Sequence, residues 1–267
     1  MCFYGILPIF AFQLNETDML AMIFAAGKGT RLRPLTDERP KALVEVDGRT
    51  LLEIQMERLY RAGCRRVVVN VHHFADMMVD WLQKVNWLGL QVLVSDERAR
   101  LLNTGGGLKQ AGRLMDMLHE AQPLLVHNVD VLDNADLQGF YRSCHDVDAC
   151  LLVSERDTQR YLLFDENNRL MGWENRVTRE VKSPYAGLQP TDCRRLAFAG
   201  MHVVGQGVFR EMERWPDEFS IIDFYVQSCR RLRIKGVVQP DLRMLDVGKP
   251  ETLAVAGDFL KELAPKE

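Results

Sequence analysis

The sequence predicts an α/β fold built on a largely parallel sheet. Short runs rich in Val, Ile and Leu alternate along the chain with longer segments whose apolar residues recur at helical spacing. This alternation is typical of parallel strands joined by helices. The first apolar run, 20–26, ends in glycines and indicates a buried strand. No internal repeat or low-complexity tract divides the 267 residues, so we expect one large domain.

The remaining elements follow from the same spacing and from glycine and proline stops. Helices are predicted at 51–62, 75–85, 106–118, 221–231 and 251–263, and strands at 66–71, 90–94, 123–128, 149–153, 196–204 and 234–238. The segments 162–165 and 170–173 flank a Glu-Asn-Asn turn and predict a hairpin. The polar segment 176–193 contains two prolines and a glycine, which favours a loop or flap.

Composition excludes several classes of protein. The apolar fraction is 47% and the charged fraction 27%, which is typical of a soluble globular chain. The net charge of -3 argues against a nucleic-acid partner. None of the six cysteines has CxxC spacing, which argues against a zinc site and favours reduced thiols in a cytoplasmic protein.

The N-terminus differs from the rest of the chain. Residues 1–14 are almost wholly apolar, yet they lack the basic opening and small-residue cleavage site of a signal peptide, and they are too short to span a bilayer. We therefore expect no membrane association, and we interpret 1–18 as an extension whose start is assigned too early, with Met19 or Met22 as the working start. An added strand is the alternative.

A glycine-rich loop, Ala-Ala-Gly-Lys-Gly-Thr-Arg at 25–31, follows the first predicted strand directly. Two close glycines let backbone N–H groups face a polyphosphate, and Lys28 and Arg31 supply cationic donors. The loop is neither a Walker A motif nor a full dinucleotide fingerprint, because Leu32 occupies the third glycine position. By itself the loop is weak evidence for phosphate binding, and a plain tight turn is the better interpretation.

The dipeptide Pro40-Lys41 leads directly into the apolar run 42–44. We expect the side chain of Lys41 to reach back toward the phosphates. The alternative is a solvated lysine at the start of a strand.

The run 25–46 resembles the signature of sugar-1-phosphate nucleotidyltransferases, AAGxGTRLxPLT followed by PKxLVPV, with Glu45 where the family often has proline. The resemblance extends from Leu20 to the end of the chain. It implies a Rossmann-like mixed, mostly parallel sheet flanked by helices, of the nucleotide-diphospho-sugar transferase type. It also implies one nucleotidyltransferase domain at 19–267, with a small β-hairpin or flap insertion at about 155–196 that binds the sugar.

The resemblance further implies the residues on the nucleotide side. Arg31 and Lys41 would be the catalytic cations. The expected nucleotide contacts are Ala25, Ala26, Gly27, Gly29, Thr30, Glu97, Thr104, Gly105 and Gly106. The glycines after Thr104 are alternatively a flexible turn before a helix.

A metal site is implied by two family patterns. The family's NGD pattern reads His-Asn-Val-Asp here and ends at Asp130, and its DxGTPE pattern reads Asp-Val-Gly-Lys-Pro-Glu and begins at Asp246. Two carboxylates at the ends of different strands suit Mg2+, which prefers oxygen ligands and retains water. Taken alone, Asp130 is equally compatible with a helix N-cap.

On the sugar side the resemblance implies Asn128, Glu174 and Gly200. The family's Glu-Lys pair reads Glu174-Asn175 here, so the lysine that contacts the sugar phosphate is missing. Arg176 or Arg179 is a candidate substitute. Glu174 is alternatively a solvated hairpin residue.

The implied reaction is in-line attack by a sugar 1-phosphate on the α-phosphorus of a nucleoside triphosphate, with release of pyrophosphate. The sequence looks most like the branch that joins UTP to N-acetylmuramate 1-phosphate in cell-wall sugar recycling. Guanylyltransferases for mannose or heptose 1-phosphate and a phosphocholine cytidylyltransferase are alternatives. A catalytically silent nucleotide-sugar-binding subunit is a further one, although such a protein is expected to lose Arg31 or a metal-binding aspartate. The sequence does not indicate an oligomeric state.

Overall fold

The computed structural model describes residues 18–85, 87, 89–144 and 146–263, so residues 1–17 of the expected extension lie outside the described residues. The strands are β1 (Met19–Phe24), β2 (Glu45–Val46), β3 (Arg49–Thr50), β4 (Cys64–Val71), β5 (Gln91–Asp96), β6 (Leu124–Asn128), β7 (Val131–Asp133), β8 (Ala149–Ser154), β9 (Arg160–Phe164), β10 (Leu170–Asn175), β11 (Glu180–Lys182), β12 (Arg194–Val204), β13 (Ile234–Val238) and β14 (Met244–Asp246). The helices are α1 (Leu51–Arg61), α2 (Ala75–Lys84), α3 (Asn103–Leu114), α4 (Leu137–Arg142), α5 (Gln206–Met212), α6 (Ile221–Ser228), α7 (Pro250–Ala254) and α8 (Ala256–Leu263).

The chain divides into two compact units. The first comprises the described residues of 1–101, 127–134 and 243–267, and the second comprises those of 102–126 and 135–242. Because neither unit is one continuous segment, no linker or change of composition marks them in the sequence. The assignment of 19–267 to one nucleotidyltransferase domain stays a prediction.

The first unit is built on parallel strands. β1 pairs with β4 and β4 pairs with β5, both in parallel, as the apolar runs predict. The side chains of Leu20, Met22 and Val68 are completely buried. Strands buried on both faces read as continuous apolar runs rather than alternating ones, which explains the sequence pattern. β1 ends at Phe24, and the chain then continues as the glycine-rich loop.

Helix α1 begins with a capping box. Thr50 Oγ1 accepts a hydrogen bond from the Glu53 N–H at 3.1 Å, and the Glu53 carboxylate accepts one from the Thr50 N–H at 2.7 Å. This pairing satisfies donors that the first turn of a helix leaves free. The helix buries Leu51, Leu52 and Met56, and it ends just before Gly63, which has a φ of 98°.

The second unit is a mixed arrangement of strands. The order β11-β10-β9-β12 is antiparallel throughout, β12 also pairs with β8, and β8 pairs in parallel with β13. The predicted hairpin is present as β9 and β10. Its turn is fixed by Asp165, whose Oδ1 accepts from the N–H groups of Asn167 and Arg169 at 2.9 and 2.8 Å.

The loop predicted at 176–193 is wrong in its centre, where Glu180–Lys182 forms the edge strand β11 against β10. The strand is only three residues long and contains one apolar residue, the exposed Val181, so no apolar alternation revealed it. The predicted closing helix is two helices, α7 and α8, separated at Val255. Elements β2, β3, β7, α4, α5 and β14 have no counterpart among the predicted elements, because each is shorter than the window over which periodicity is readable.

Helix α3 begins at Asn103 rather than at Gly106, so the consecutive glycines lie inside its first turns. Two of these glycines pack closely against the segment 217–219. The Gly105 N–H donates to the Phe219 carbonyl oxygen at 2.8 Å, and a Cβ on Gly106 would lie 1.9 Å from the Asp217 carbonyl oxygen. The alternative of a flexible turn is therefore wrong.

None of the helices in the described part of the chain combines the length and the apolar character that a bilayer crossing requires.

Replacing Gly106 with alanine is expected to lower the free energy of unfolding by about 1–3 kcal/mol, because the backbone of α3 must move away from Asp217. Urea unfolding measures the change. Gly205→Ala is the matched control, since the nearest atom to its Cβ would be 3.6 Å away. Equal losses in the two variants would contradict a packing role for Gly106.

Candidate active site

The glycine-rich loop has a defined conformation at the end of β1. Gly29 has a φ of 63°, and a Cβ at this position would lie 2.8 Å from Thr36 Cγ2. Thr36 is buried, and its hydroxyl donates to the Gly29 carbonyl oxygen at 2.8 Å. Both the backbone conformation and the close approach of Thr36 require glycine at position 29.

The loop forms one wall of an open pocket of about 230 Å³ in the first unit. The structure thereby brings together residues that the sequence places far apart. The pocket is lined by Phe24, Ala25, Gly27, Gly29, Thr30, Arg31, Lys41, Val129, Asp130 and Gly248.

Lys41 and Asp130 form a hydrogen-bonded ion pair at this pocket. Lys41 lies in a short 3-10 helix after Pro40, and its side chain is only 9% exposed, so the alternative of a solvated lysine is wrong. Asp130 precedes the strand β7 rather than a helix, so the N-cap alternative is wrong too. A lysine side chain held at the glycine-rich loop by a carboxylate is equipped to contact an anionic ligand.

Asp246 reaches the same region through the pairing of β7 with β14. It lies opposite Val131, and the next N–H, that of Val247, donates to the Asp130 carbonyl oxygen at 2.8 Å. Its carboxylate lies 3.9 Å from the Arg31 guanidinium. The two predicted aspartates therefore lie on adjacent paired segments, and each has one of the two predicted cations beside it.

Gly248 is a site residue that the sequence analysis did not single out. A Cβ there would lie 2.6 Å from both Arg31 Nη2 and Asp246 Oδ1. A glycine at this position is therefore what allows Arg31 and Asp246 to approach each other. The sequence pattern that begins at Asp246 contains this glycine, but the pattern predicted a role only for the aspartate.

A second missed residue, Asn70, supports the loop from behind. Its Oδ1 accepts from the N–H groups of Ala25 and Ala26 at 2.7 and 3.3 Å, and its Nδ2 donates to Glu97 Oε1 at 2.7 Å. Asn70 is 3% exposed and Glu97 2%. The polar residue at the end of the apolar run 67–69 was the available signal. The base-binding role of Glu97 stays a prediction.

Beneath Asp130, a buried charged cluster holds β7. Asp133 accepts from both terminal nitrogens of Arg58 at 2.9 and 2.7 Å and lies 3.0 Å from His127 Nε2. Burial by itself raises the pKa of Asp133. The hydrogen bond and charge interaction with His127, followed by those with Arg58, outweigh burial and hold that pKa below its usual range. The His127 Nδ1 atom lies 2.7 Å from the carbonyl oxygen of Asn128, one of the predicted sugar contacts.

The other predicted residues belong to the second unit: Thr104, Gly105, Gly106, Glu174 and Gly200. The Thr104 hydroxyl accepts from the Ile221 N–H at 3.0 Å. Gly200 has a φ of 78° within β12. The Glu174 side chain is 14% exposed and accepts from Arg195 Nε at 2.6 Å, so Glu174 is not a solvated hairpin residue. Nothing in the local sequence around Glu174 pointed to Arg195, which lies 21 residues away.

The carboxylates suit a metal ion that keeps part of its water shell. Within the described residues, no group of three or more His, Cys, Asp and Glu side chains is arranged to hold a metal ion. Asp130 and Asp246 side chains are 22% and 56% exposed, so both carboxylates are accessible. Mg2+ is commonly bound by one or two carboxylates together with substrate phosphates, and this pair fits that chemistry.

Replacing Asp133 with asparagine is expected to lower the free energy of unfolding at pH 7 by about 3 kcal/mol, because it removes the carboxylate that pairs with the partly buried Arg58 guanidinium and the buried His127. The lowered pKa of Asp133 means that its contribution is present above the unfolded value of 3.8 and is lost as pH falls below it. Urea unfolding at several pH values should therefore show a smaller loss of stability below pH 3.8 for Asp133→Asn than for the wild type. An equal loss of stability in the two proteins as pH falls would contradict this account.

Comparison with known proteins identifies the family. A profile of the nucleotidyl transferase family matches residues 20–168. The chain is 44% identical over 257 residues to N-acetylmuramate alpha-1-phosphate uridylyltransferase of Caulobacter vibrioides, covering 93% of this chain and 100% of that protein. It is 33% identical over 157 residues to mannose-1-phosphate guanylyltransferase catalytic subunit beta of Dictyostelium discoideum, covering 56% of this chain and 42% of that protein.

Solved structures share the fold. The crystal structure of HddC from Yersinia pseudotuberculosis matches with a TM-score of 0.71 and 23% identity, over 91% of this chain and 99% of that one. The predicted fold class, a mixed sheet flanked by helices of the nucleotide-diphospho-sugar transferase type, is confirmed, and so is the resemblance seen in the sequence. The chain belongs to the nucleotidyl transferase family.

Proposed function

We propose that this chain condenses UTP with an amino-sugar 1-phosphate of the N-acetylmuramate type, giving a UDP-sugar and pyrophosphate. The observation that carries the reaction class is the meeting of Arg31, Lys41, Asp130 and Asp246 at the glycine-rich loop. The choice of UTP and of an N-acetylmuramate-type sugar is supported by the relative of matching length that is 44% identical. Such a reaction would serve the reuse of cell-wall sugars in the cytoplasm.

The loop is suited to hold the triphosphate through its backbone. In the described part of the chain, nothing accepts from the N–H groups of Gly27, Lys28 and Gly29, so these donors remain for phosphate oxygens. Thr30 also lines the pocket. Positioning of this kind supplies much of the catalysis in phosphoryl transfer, because little covalent chemistry falls to the protein.

The charged residues stabilise the leaving group. Arg31 and Lys41 would take up the negative charge that develops on pyrophosphate as the sugar phosphate oxygen attacks the α-phosphorus. Asp130 and Asp246 would hold Mg2+, which when bound offsets phosphate charge and orients the phosphates. Lys41 would then face both the carboxylate of Asp130 and the phosphates.

Glu174 and Gly200, both in the second unit, are proposed as sugar contacts. We assign the role of the missing family lysine to Arg195 rather than to Arg176 or Arg179. Arg195 uses Nε to bind Glu174, and no described residue accepts from its two terminal nitrogens. A guanidinium with a free fork of donors binds phosphate and carboxylate well.

The direct test is a screen of pyrophosphate release with four nucleoside triphosphates against a panel of sugar 1-phosphates. We expect the highest kcat/KM for UTP with N-acetylmuramate 1-phosphate. A preference for GTP with mannose or heptose 1-phosphate would replace this proposal by the guanylyltransferase alternative, which the 33% identical relative represents. Absence of release with every pair would favour a silent binding subunit.

Two variants are the controls for that screen. Asp130→Asn and Arg31→Ala should each lower turnover by roughly 100- to 1000-fold, because each removes a charge that acts on the transition state. The unfolding temperature should stay close to that of the wild type for Arg31→Ala, whose side chain is largely exposed, and should fall for Asp130→Asn, which leaves the nearly buried Lys41 without its carboxylate. A variant that kept the wild-type rate would contradict the assigned site.

Replacing Arg195 with alanine should raise the KM for the sugar 1-phosphate by roughly 10- to 100-fold and leave the KM for UTP nearly unchanged, because a charge-assisted hydrogen bond to the sugar substrate is lost. Arg176→Ala and Arg179→Ala are the matched controls, and each should leave both constants near wild type. A larger rise in the KM for the sugar 1-phosphate for Arg176→Ala or Arg179→Ala than for Arg195→Ala would return the role to that arginine.

A further inference from the structure

We infer that Asn70 and Glu97 form a positioning pair that sets the conformation of the glycine-rich loop, so that Glu97 acts on the nucleotide through the loop and not on the base. The inference rests on the proposed function, since the loop is taken to bind a triphosphate. It assigns a role to one residue that no motif contains and changes the role expected for the other.

The chemistry of the pair fixes the orientation of the Asn70 amide. Nδ2 is the donor atom of the Asn70 amide, and it donates to Glu97 Oε1 at 2.7 Å. The Oδ1 atom is then turned toward the loop, where it accepts from Ala25 at 2.7 Å and Ala26 at 3.3 Å. Glu97 thus determines which atom of Asn70 meets the loop.

The pair is held by the ends of adjacent strands. Asn70 lies in β4, and Glu97 follows β5 directly. The Glu97 N–H donates to the Val71 carbonyl oxygen at 2.8 Å, and the Glu97 carbonyl oxygen accepts from the Arg100 N–H at 3.0 Å. With side chains 3% and 2% exposed, both residues are anchored within the protein. The Oε1 atom of Glu97 is already engaged by Asn70.

This arrangement divides the loop into two parts. The N–H groups of Ala25 and Ala26 are engaged by Asn70, whereas those of Gly27, Lys28 and Gly29 have no acceptor among the described residues. The first part is therefore fixed from behind, and the second part presents donors to the pocket. Donors that are oriented before the ligand arrives cost no reorganisation during the reaction.

The test exchanges the hydrogen-bonding roles within the pair. Asn70→Asp alone places two carboxylates against each other, and we expect kcat/KM for UTP to fall roughly 10- to 100-fold because the buried hydrogen bond is lost. In the double variant Asn70→Asp, Glu97→Gln, the new amide donates to the new carboxylate, so at least roughly tenfold of that loss should be recovered. Failure of the double variant to exceed Asn70→Asp would overturn the inference.

Base selectivity separates the two roles of Glu97. If Glu97 acts through the loop, Glu97→Gln changes kcat/KM for UTP and GTP by the same factor, and the effect lies mainly in the KM for the triphosphate. A base ligand would instead change the ratio between the two triphosphates, and that result would overturn the inference. Asp136→Ala is the matched control, because it also removes an oxygen that accepts a backbone N–H, at 2.9 Å from Gly139, but lies outside the pair. It should leave the ratio of kcat/KM for UTP to that for GTP unchanged.

Calorimetric binding of UTP to the same variants keeps this test independent of turnover. If the wild type releases no pyrophosphate with any sugar 1-phosphate, the proposed function fails. The order of UTP affinities, with the double variant above Asn70→Asp, still decides the role of the pair. Thermal unfolding of each variant identifies one that does not fold, and in that case Glu97→Gln alone decides through its ratio of UTP to GTP affinity.

Discussion

The ion pair between Lys41 and Asp130 joins two segments that are 89 residues apart in the sequence. The Lys41 side chain is only 9% exposed, so leaving it without the Asp130 carboxylate would cost stability. The pair therefore constrains the segment after the glycine-rich loop and the segment after β6 to meet at one pocket. The pairing of β7 with β14 brings Asp246, and with it Gly248, to the same place.

The two segments keep these positions because buried hydrogen bonds hold the backbone on both sides of the ion pair. On the Asp130 side, β7 is held by the Asp133 cluster and by Gln55, whose side chain donates to the Val131 carbonyl oxygen at 2.6 Å. On the loop side, Thr36 and Asn70 bond the backbone of the loop at each end. The charged groups at the pocket are thus presented by backbone that is fixed through buried hydrogen bonds, which is what electrostatic stabilisation of a transition state requires.

Glycine has different physical roles at different positions in this chain. Gly29 and Gly248 allow close approach within the pocket, to Thr36 in one case and to Arg31 and Asp246 in the other. Gly105 and Gly106 instead allow α3 to pack against the segment 217–219. The nucleotide contacts predicted at Thr104, Gly105 and Gly106 stay predictions, and the packing supplies an independent reason for glycine at the last two positions.

The sequence by itself determined the family, the parallel strands of the first unit, the hairpin of the second and the charged residues of the candidate site. These features were readable because each depends on local order: an apolar run, a turn, or a long motif such as 25–46. Only the tertiary structure revealed Asn70, Gly248 and Arg195. Each acts through a partner 21 to 45 residues away or, for Gly248, through the space that it leaves between Arg31 and Asp246. Hydrogen bonds and close approaches of that kind depend on which strands become neighbours, and residue type and local spacing do not carry that information.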